Sequence, residues 1–177
     1  MSIILTGFRG TGKTTVCRIL AGRLDVPCID TDQVIEERSG RKIHAIFRDE
    51  GEPAFRELER QAIASLPEDR AVVSAGGGAV LDPENVAHLR RRSLVILLQA
   101  GEETISRRIG GSDRPSLTGR PPAEEVREIL RARWPAYLRS ADVCIGTGDR
   151  SPEEVAGEIM RLRREGPGST GSAPGGP

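Results

Sequence analysis

The alternation of apolar and polar positions divides the chain into short strands separated by longer helices. Residues 2–6 are an apolar run with no helical period and predict a buried first strand. Val16, Ile19, Leu20 and Leu24 then recur at the spacing of one helix face and predict a helix over 13–24. Residues 26–29 read as a short second strand, broken at its start by Pro27. Helical patterning covers about 32–39, 42–49 and 53–66, with Gly40 and Gly51 as breaks. In the last of these, Phe55, Leu58, Ala62, Ile63 and Leu66 form an apolar stripe. Residues 71–74 predict a third strand, ended by Gly76-Gly77-Gly78. Asp82 and Pro83 suit the N-cap and first position of a helix to about 91. A fourth strand (94–98) and a helix (102–109) follow, and then residues 110–121, whose glycines, prolines and charges predict an exposed mobile loop. A helix over 122–138 carries Val126, Ile129, Leu130 and Trp134 on one face, with a kink expected at Pro135. A fifth strand (142–145) leads to a capping box at Ser151 and Glu154, which opens a last helix to about 164. Residues 165–177 are rich in Gly, Pro and Ser and predict a disordered tail. Strands alternating with helices make this an α/β domain over 1–164 built on a parallel sheet. Its ligand is expected at the carboxyl ends of the strands.

One motif gives that edge a chemistry. Gly7 to Thr14 reads G-x-x-x-x-G-K-[ST], the phosphate-binding P-loop pattern, between the first strand and the first helix. Its glycines let backbone N–H groups converge on phosphate oxygens, and the helix N-terminus adds partial positive charge. Gly10, Thr11, Gly12, Lys13, Thr14 and Thr15 are the expected ATP-binding residues, with Lys13 on the outer phosphates and Thr14 on Mg²⁺. The chain has two lysines, and one stands at this position.

Other groups fall on the same edge. Asp30 and Asp32 sit two apart just past a strand end. Two carboxylates there divide the labour between hydrated magnesium and a substrate hydroxyl, or one of them caps the next helix. On residue types alone, Arg56 and Glu59 read as a surface ion pair one helical turn apart. Three successive glycines allow a ligand to approach the backbone closely. Arg107, Arg108, Arg114 and Arg120 surround the 110–121 loop, which a phosphate site would use as a closing lid. His44 and His88 carry no partner pattern and read as ordinary helix residues.

Charge and cysteine usage narrow the setting. The formal net charge is zero, so charge makes no case for nucleic acid or a membrane as partner. No apolar run is long enough to span a bilayer, so a soluble, cytoplasmic protein is expected. The cysteines Cys17, Cys28 and Cys144 are far apart in sequence and without metal-ligand spacing, so reduced thiols are expected.

Taken together, these pieces resemble the shikimate kinase family. The resemblance rests on the P-loop, Asp30-Thr31-Asp32, Ile46-Phe47, Gly51-Glu52-x-x-Phe55-Arg56-x-x-Glu59, the Gly76–Gly78 turn, Arg114-Pro115, Arg133-x-Pro135-x-Tyr137 and Ala141-Asp142. It implies a P-loop NTPase-type three-layer fold, with a five-stranded parallel sheet in order 2-3-1-4-5, a lid at about 110–121 and substrate-binding helices at about 32–62. It implies MgATP-dependent phosphorylation of the shikimate 3-hydroxyl by a monomer. Asp32 would be the base, and Asp30 would support magnesium beside Thr14. Arg56 and Arg133 would hold the shikimate carboxylate, which reverses the ion-pair reading of Arg56. Phe47, Phe55, Gly76, Gly77 and Gly78 would line the ring pocket. Arg114 would meet the transferring phosphate, and Arg108 and Arg150 would flank adenine. Ser116 stands where the family's lid usually carries a leucine. The alternatives are another small-acid P-loop kinase, such as a gluconate kinase, and a non-catalytic nucleotide-binding module that senses shikimate or a related acid.

Overall fold

A computed structural model describes residues 1–67, 69–91, 93–110 and 121–165. The lid expected at 110–121, with Arg114, Ser116 and Arg120, therefore lies almost wholly outside the described residues, as do tail residues 166–177. The strands are β1 (Ser2–Thr6), β2 (Cys28–Asp30), β3 (Val72–Ser74), β4 (Ser93–Gln99) and β5 (Val143–Gly146). They pair in parallel in the order β2-β3-β1-β4-β5. Both faces of this sheet are covered, which is why its central strands read as continuous apolar runs. Alternate residues take opposite faces. Ile3, Leu5, Leu94, Ile96 and Leu98 pack with Val16, Leu20, Ile159 and Leu162 of helices α1 (Lys13–Leu24) and α7 (Pro152–Glu165). Ile4, Val73 and Val95 instead meet Ile63 of α3 (Ile43–Ala64) and Leu89 of α4 (Pro83–Leu89). Leu97 joins Phe8, Ile105 of α5 (Glu102–Ile109), and Val126, Leu130 and Tyr137 of α6 (Pro122–Ser140).

Two elements differ from expectation in instructive ways. The predicted helices at 42–49 and 53–66 are the two arms of α3, which turn at Gly51 (φ 80°, ψ 178°). Glycine adopts that backbone without the Cβ penalty that other residues carry, and Pro53 then restarts the second arm. With α2 (Thr31–Ser39), these arms enclose a small separate core of Ile35, Ile46, Phe55 and Ala62. The helix α6 runs past the predicted end at 138 to Ser140.

The expectation of three reduced thiols is corrected. Cys17 of α1 and Cys28 of β2 are joined as a disulfide with their Cα atoms 5.8 Å apart, and Cys144 is free. The spacing of eleven residues hid this, because a β-α-β crossover brings the helix back over the strand. Cross-linking so short a loop is worth roughly 2–3 kcal/mol through the unfolded chain. Adding dithiothreitol should lower the urea midpoint accordingly, and Cys28→Ser, at an exposed position, should reproduce the shift. A midpoint insensitive to reductant would contradict it.

Candidate active site

The carboxyl ends of β1, β2 and β3 open into one cavity of about 890 Å³. Its wall includes Thr14, Asp30, Asp32, Phe47, Phe55, Arg56, Gly77, Gly78 and Arg133, residues separated by more than a hundred positions in the chain. At the P-loop, Gly7, Gly10 and Gly12 all have positive φ. At Gly7 a Cβ would also fall 2.2 Å from the Leu98 carbonyl oxygen, so no other residue fits there. The buried Lys13 ammonium donates to the Gly7 and Phe8 carbonyls at 2.8 and 2.9 Å, which holds it over the loop's concavity. Thr11 closes the loop from inside, its hydroxyl donating to the Phe8 carbonyl at 2.8 Å.

Asp30 caps the next helix, one of the readings that the sequence leaves open, and also binds the P-loop threonine. Its Oδ1 accepts from the Asp32 N–H at 3.1 Å and caps α2, while its Oδ2 accepts from the Thr14 hydroxyl at 2.8 Å. Ser74, at the end of β3, lies 3.4 Å from the same Thr14 oxygen. This is a set of hard oxygen donors beside a phosphate loop, which fits Mg²⁺ sharing its coordination with phosphate and water. Among the described residues there is no cluster of three or more His, Cys, Asp or Glu that could hold a metal alone.

Across the cavity, Arg56 donates to Glu59 at 2.7 Å and to Glu52 at 2.7 Å. Glu59 is buried, and burial pushes its carboxyl up against the pull of Arg56 and Arg133. Burial also pulls the Arg56 guanidinium down, but Glu59 and Glu52 outweigh it, so the group stays charged. The glycine turn exists to admit these side chains. A Cβ on Gly78 would lie 2.4 Å from an Arg56 nitrogen, and one on Gly76 would lie 2.9 Å from both Asp32 Oδ1 and Glu59 Oε1. The Gly76 N–H is already committed to Thr31 Oγ1 at 2.8 Å. Arg133 and the Tyr137 hydroxyl both donate to the Gly77 carbonyl, at 3.2 and 2.5 Å. Burial raises the Tyr137 hydroxyl to about 12, so it remains a donor at neutral pH. Phe47 and Phe55 stack with centroids 4.6 Å apart and give the cavity an apolar wall.

Arg108 and Arg150 stand away from this cavity. Arg108 donates to the Gly10, Thr147 and Gly148 carbonyls at 3.2, 2.8 and 3.0 Å, binding the P-loop to the segment after β5. Arg150 donates to the Gly146 carbonyl at 3.3 Å and pairs with Glu158. The two arginines thus bracket the Gly146–Gly148 segment at the outer side of the P-loop. Thr15 is exposed on α1 beside Thr14. Residues given no site role from the sequence also reach the cavity: Arg9, Arg18, Gln33, Glu36, Arg48, Glu52 and His44, the last read from the sequence as an ordinary helix residue. The P-loop position of Arg9 was available as a signal for that residue. The others lie on helix faces that only the fold turns inward.

A P-loop with its lysine, a hydroxyl–carboxylate pair beside it and an arginine-lined wall in the same cavity fit the class of P-loop small-molecule kinases. The comparisons narrow this further. The sequence model of the family described as Shikimate kinase matches residues 9–163. Similar proteins named shikimate kinase include one from Caldanaerobacter subterraneus, 43% identical over 90% of this chain and 94% of its own. Another, from Syntrophus aciditrophicus, is 45% identical over 90% of this chain and 89% of its own. Among solved structures, shikimate kinase from Acinetobacter baumannii in complex with shikimate superposes with a TM-score of 0.88, at 34% identity over 93% of each chain. The chain belongs to the shikimate kinase family.

The geometry makes Glu59 a support for Arg56. Glu59→Ala should cost about 2–3 kcal/mol, because it leaves a half-buried guanidinium without its inner partner. Urea unfolding would measure this, and a loss within the ±0.5 kcal/mol of an ordinary surface change would rule the support out.

Proposed function

We propose that this chain transfers the γ-phosphoryl group of ATP to the 3-hydroxyl of shikimate, giving shikimate 3-phosphate and ADP. The observation that carries the reading is one cavity with Thr14 and Asp30 at one end and Arg56, Arg133 and the glycine turn at the other. Family membership and the likeness to a shikimate-bound enzyme support the same acceptor.

The P-loop backbone receives the β- and γ-phosphates. Lys13 exchanges its two loop carbonyls for phosphate oxygens, and its charge then opposes the negative charge that develops on the transferring group. Thr14 and Asp30 would hold magnesium, which neutralises phosphate charge when bound. The acceptor's carboxylate pairs with Arg56 and Arg133, whose planar forks match it. Phe47 and Phe55 cover the ring, and the Gly77–Gly78 backbone meets its hydroxyls. Asp32, whose Oδ1 is aimed over Gly76, accepts the proton of the attacking hydroxyl. Arg114, outside the described residues, would meet the transferring phosphate from the lid. Arg108 and Arg150 would flank the adenine. Much of the rate then comes from holding two substrates in line. A cytoplasmic monomer is the proposed working form. Among the described residues, no helix is long and apolar enough to cross a membrane.

A coupled assay of ADP release should show turnover that depends on shikimate. Turnover with gluconate but not shikimate would move the chain to another acceptor, and ATP binding without any turnover would make it a sensor. Asp32→Asn should lower kcat by at least about 100-fold while MgATP still binds by calorimetry. Arg133→Ala should raise the shikimate KM by about 10- to 100-fold with little change in the ATP KM. An unchanged value in either variant would remove that residue from its role.

A further inference from the structure

The helix α6 carries a row of residues four apart, namely Glu125, Ile129, Arg133 and Tyr137, which lie on one face. Its two ends do different things. Arg133 and Tyr137 donate to the Gly77 carbonyl in the acceptor turn. Glu125, buried at 1% exposure, pairs with Arg9, the third residue of the P-loop. Ile129 fills the space between, within the core that also takes Phe8 of the same loop. The acceptor turn runs close beside the loop: a Cβ added at Gly77 would lie 3.7 Å from the Arg9 backbone nitrogen and 3.6 Å from the Gly7 oxygen. One helix face therefore grips the phosphate loop at one end and the acceptor turn at the other.

The Arg9–Glu125 pair is by itself weak evidence of stabilisation. A buried ion pair roughly breaks even against an apolar replacement, and its best-attested use is to fix one arrangement among several. Here the arrangement is the distance and angle between donor loop and acceptor turn. An in-line transfer depends steeply on both, so a displacement of about 1 Å costs up to about 100-fold in rate. We infer that Glu125, acting through Arg9, is a positioning residue that sets the register of the phosphate loop against the acceptor turn. Neither side chain is placed in the chemistry. Arg9 lines the cavity wall, but its guanidinium is turned to α6. Arg108 holds the opposite side of the loop at the Gly10 carbonyl, so loss of Glu125 lets the loop pivot rather than unfold.

This inference rests on the shikimate kinase reading, and the experiment separates the two. The full-length wild-type chain is assayed first; absence of shikimate-dependent turnover fails that reading. With turnover in hand, Arg9→Met, Glu125→Ala, Glu125→Gln and the Arg9→Met/Glu125→Ala pair are compared. The expected result is a kcat lowered about 10- to 100-fold in each single alanine or methionine variant, with both KM values within about threefold. The paired variant should be no worse than the poorer single one, because each breaks the same contact. Glu125→Gln, which keeps a hydrogen bond, should recover part of kcat, and it serves alone where Glu125→Ala does not fold. Three results would overturn the inference: an unchanged kcat in folded variants, losses that multiply in the pair, or a fall in Tm with kcat preserved at low temperature. The last would leave the pair a plain structural contact.

Discussion

Three consecutive residues without side chains, at the end of β3, are the constraint on which the rest of the site depends. Asp32 and Glu59 point at Gly76 from two different helices, and Arg56 occupies the volume beside Gly78. Arg133 and Tyr137 reach the Gly77 carbonyl from a third helix, and the P-loop backbone passes within contact of the same residue. A methyl group at Gly76 or Gly78 would push apart groups that have to meet. The turn is therefore less a flexible loop than a gap of fixed shape, into which side chains from α2, α3 and α6 converge. Its position follows from the sheet. β3 lies between β2 and β1, so its carboxyl end falls between Asp30 and the phosphate loop.

Much of this is legible from residues alone, and the parts that are not share a cause. The strand order's edge, the P-loop and the Asp30–Asp32 step are visible because their signals are local: an apolar run, a fixed glycine spacing, two carboxylates past a strand. The glycine turn is visible as a site where something approaches the backbone, but the sequence points to a ligand, whereas the structure puts Arg56, Asp32 and Glu59 there as well. Arg56 shows the limit most clearly. Its spacing from Glu59 reads as a surface pair, and the pair does form, but with one partner buried. Spacing along a helix reports neighbours, not depth. Cys17–Cys28 and Arg9–Glu125 are invisible for the same reason, since each joins elements that only the crossovers bring together.

At the P-loop end of the cavity, the protein's own groups hold the loop in shape. The Lys13 ammonium is buried, and an unpaired buried charge would be expensive. Its two bonds to loop carbonyls meet that cost while holding the loop in the curve that phosphate requires. The Thr14–Asp30 bond does the same for the oxygens that would face magnesium. On the proposed reading, a ligand replaces both contacts one for one, so binding exchanges partners instead of creating order from a slack loop. That is the physical content of preorganisation, because little entropy remains to be lost on binding.

At the acceptor end the same logic selects which contact yields. Arg56 has two carboxylate partners of unequal standing: Glu59, with its side chain at 1% exposure, and Glu52, at 59%. The exposed pair contributes little, since water and salt compete for it, whereas the buried one cannot be broken without stranding a charge. On the proposed reading, an incoming carboxylate therefore replaces Glu52 and leaves Glu59 in place. Arg56 then presents one edge of its fork to the substrate while the other stays fixed by the protein. The exchange conserves the number of charge-assisted bonds, so affinity arises from the second contact at Arg133 and from burial of the ring against Phe47 and Phe55. A ligand with a carboxylate but no ring would gain the exchange and lose that burial. On that reading the pocket selects its acceptor through its apolar wall and its geometry more than through its charge.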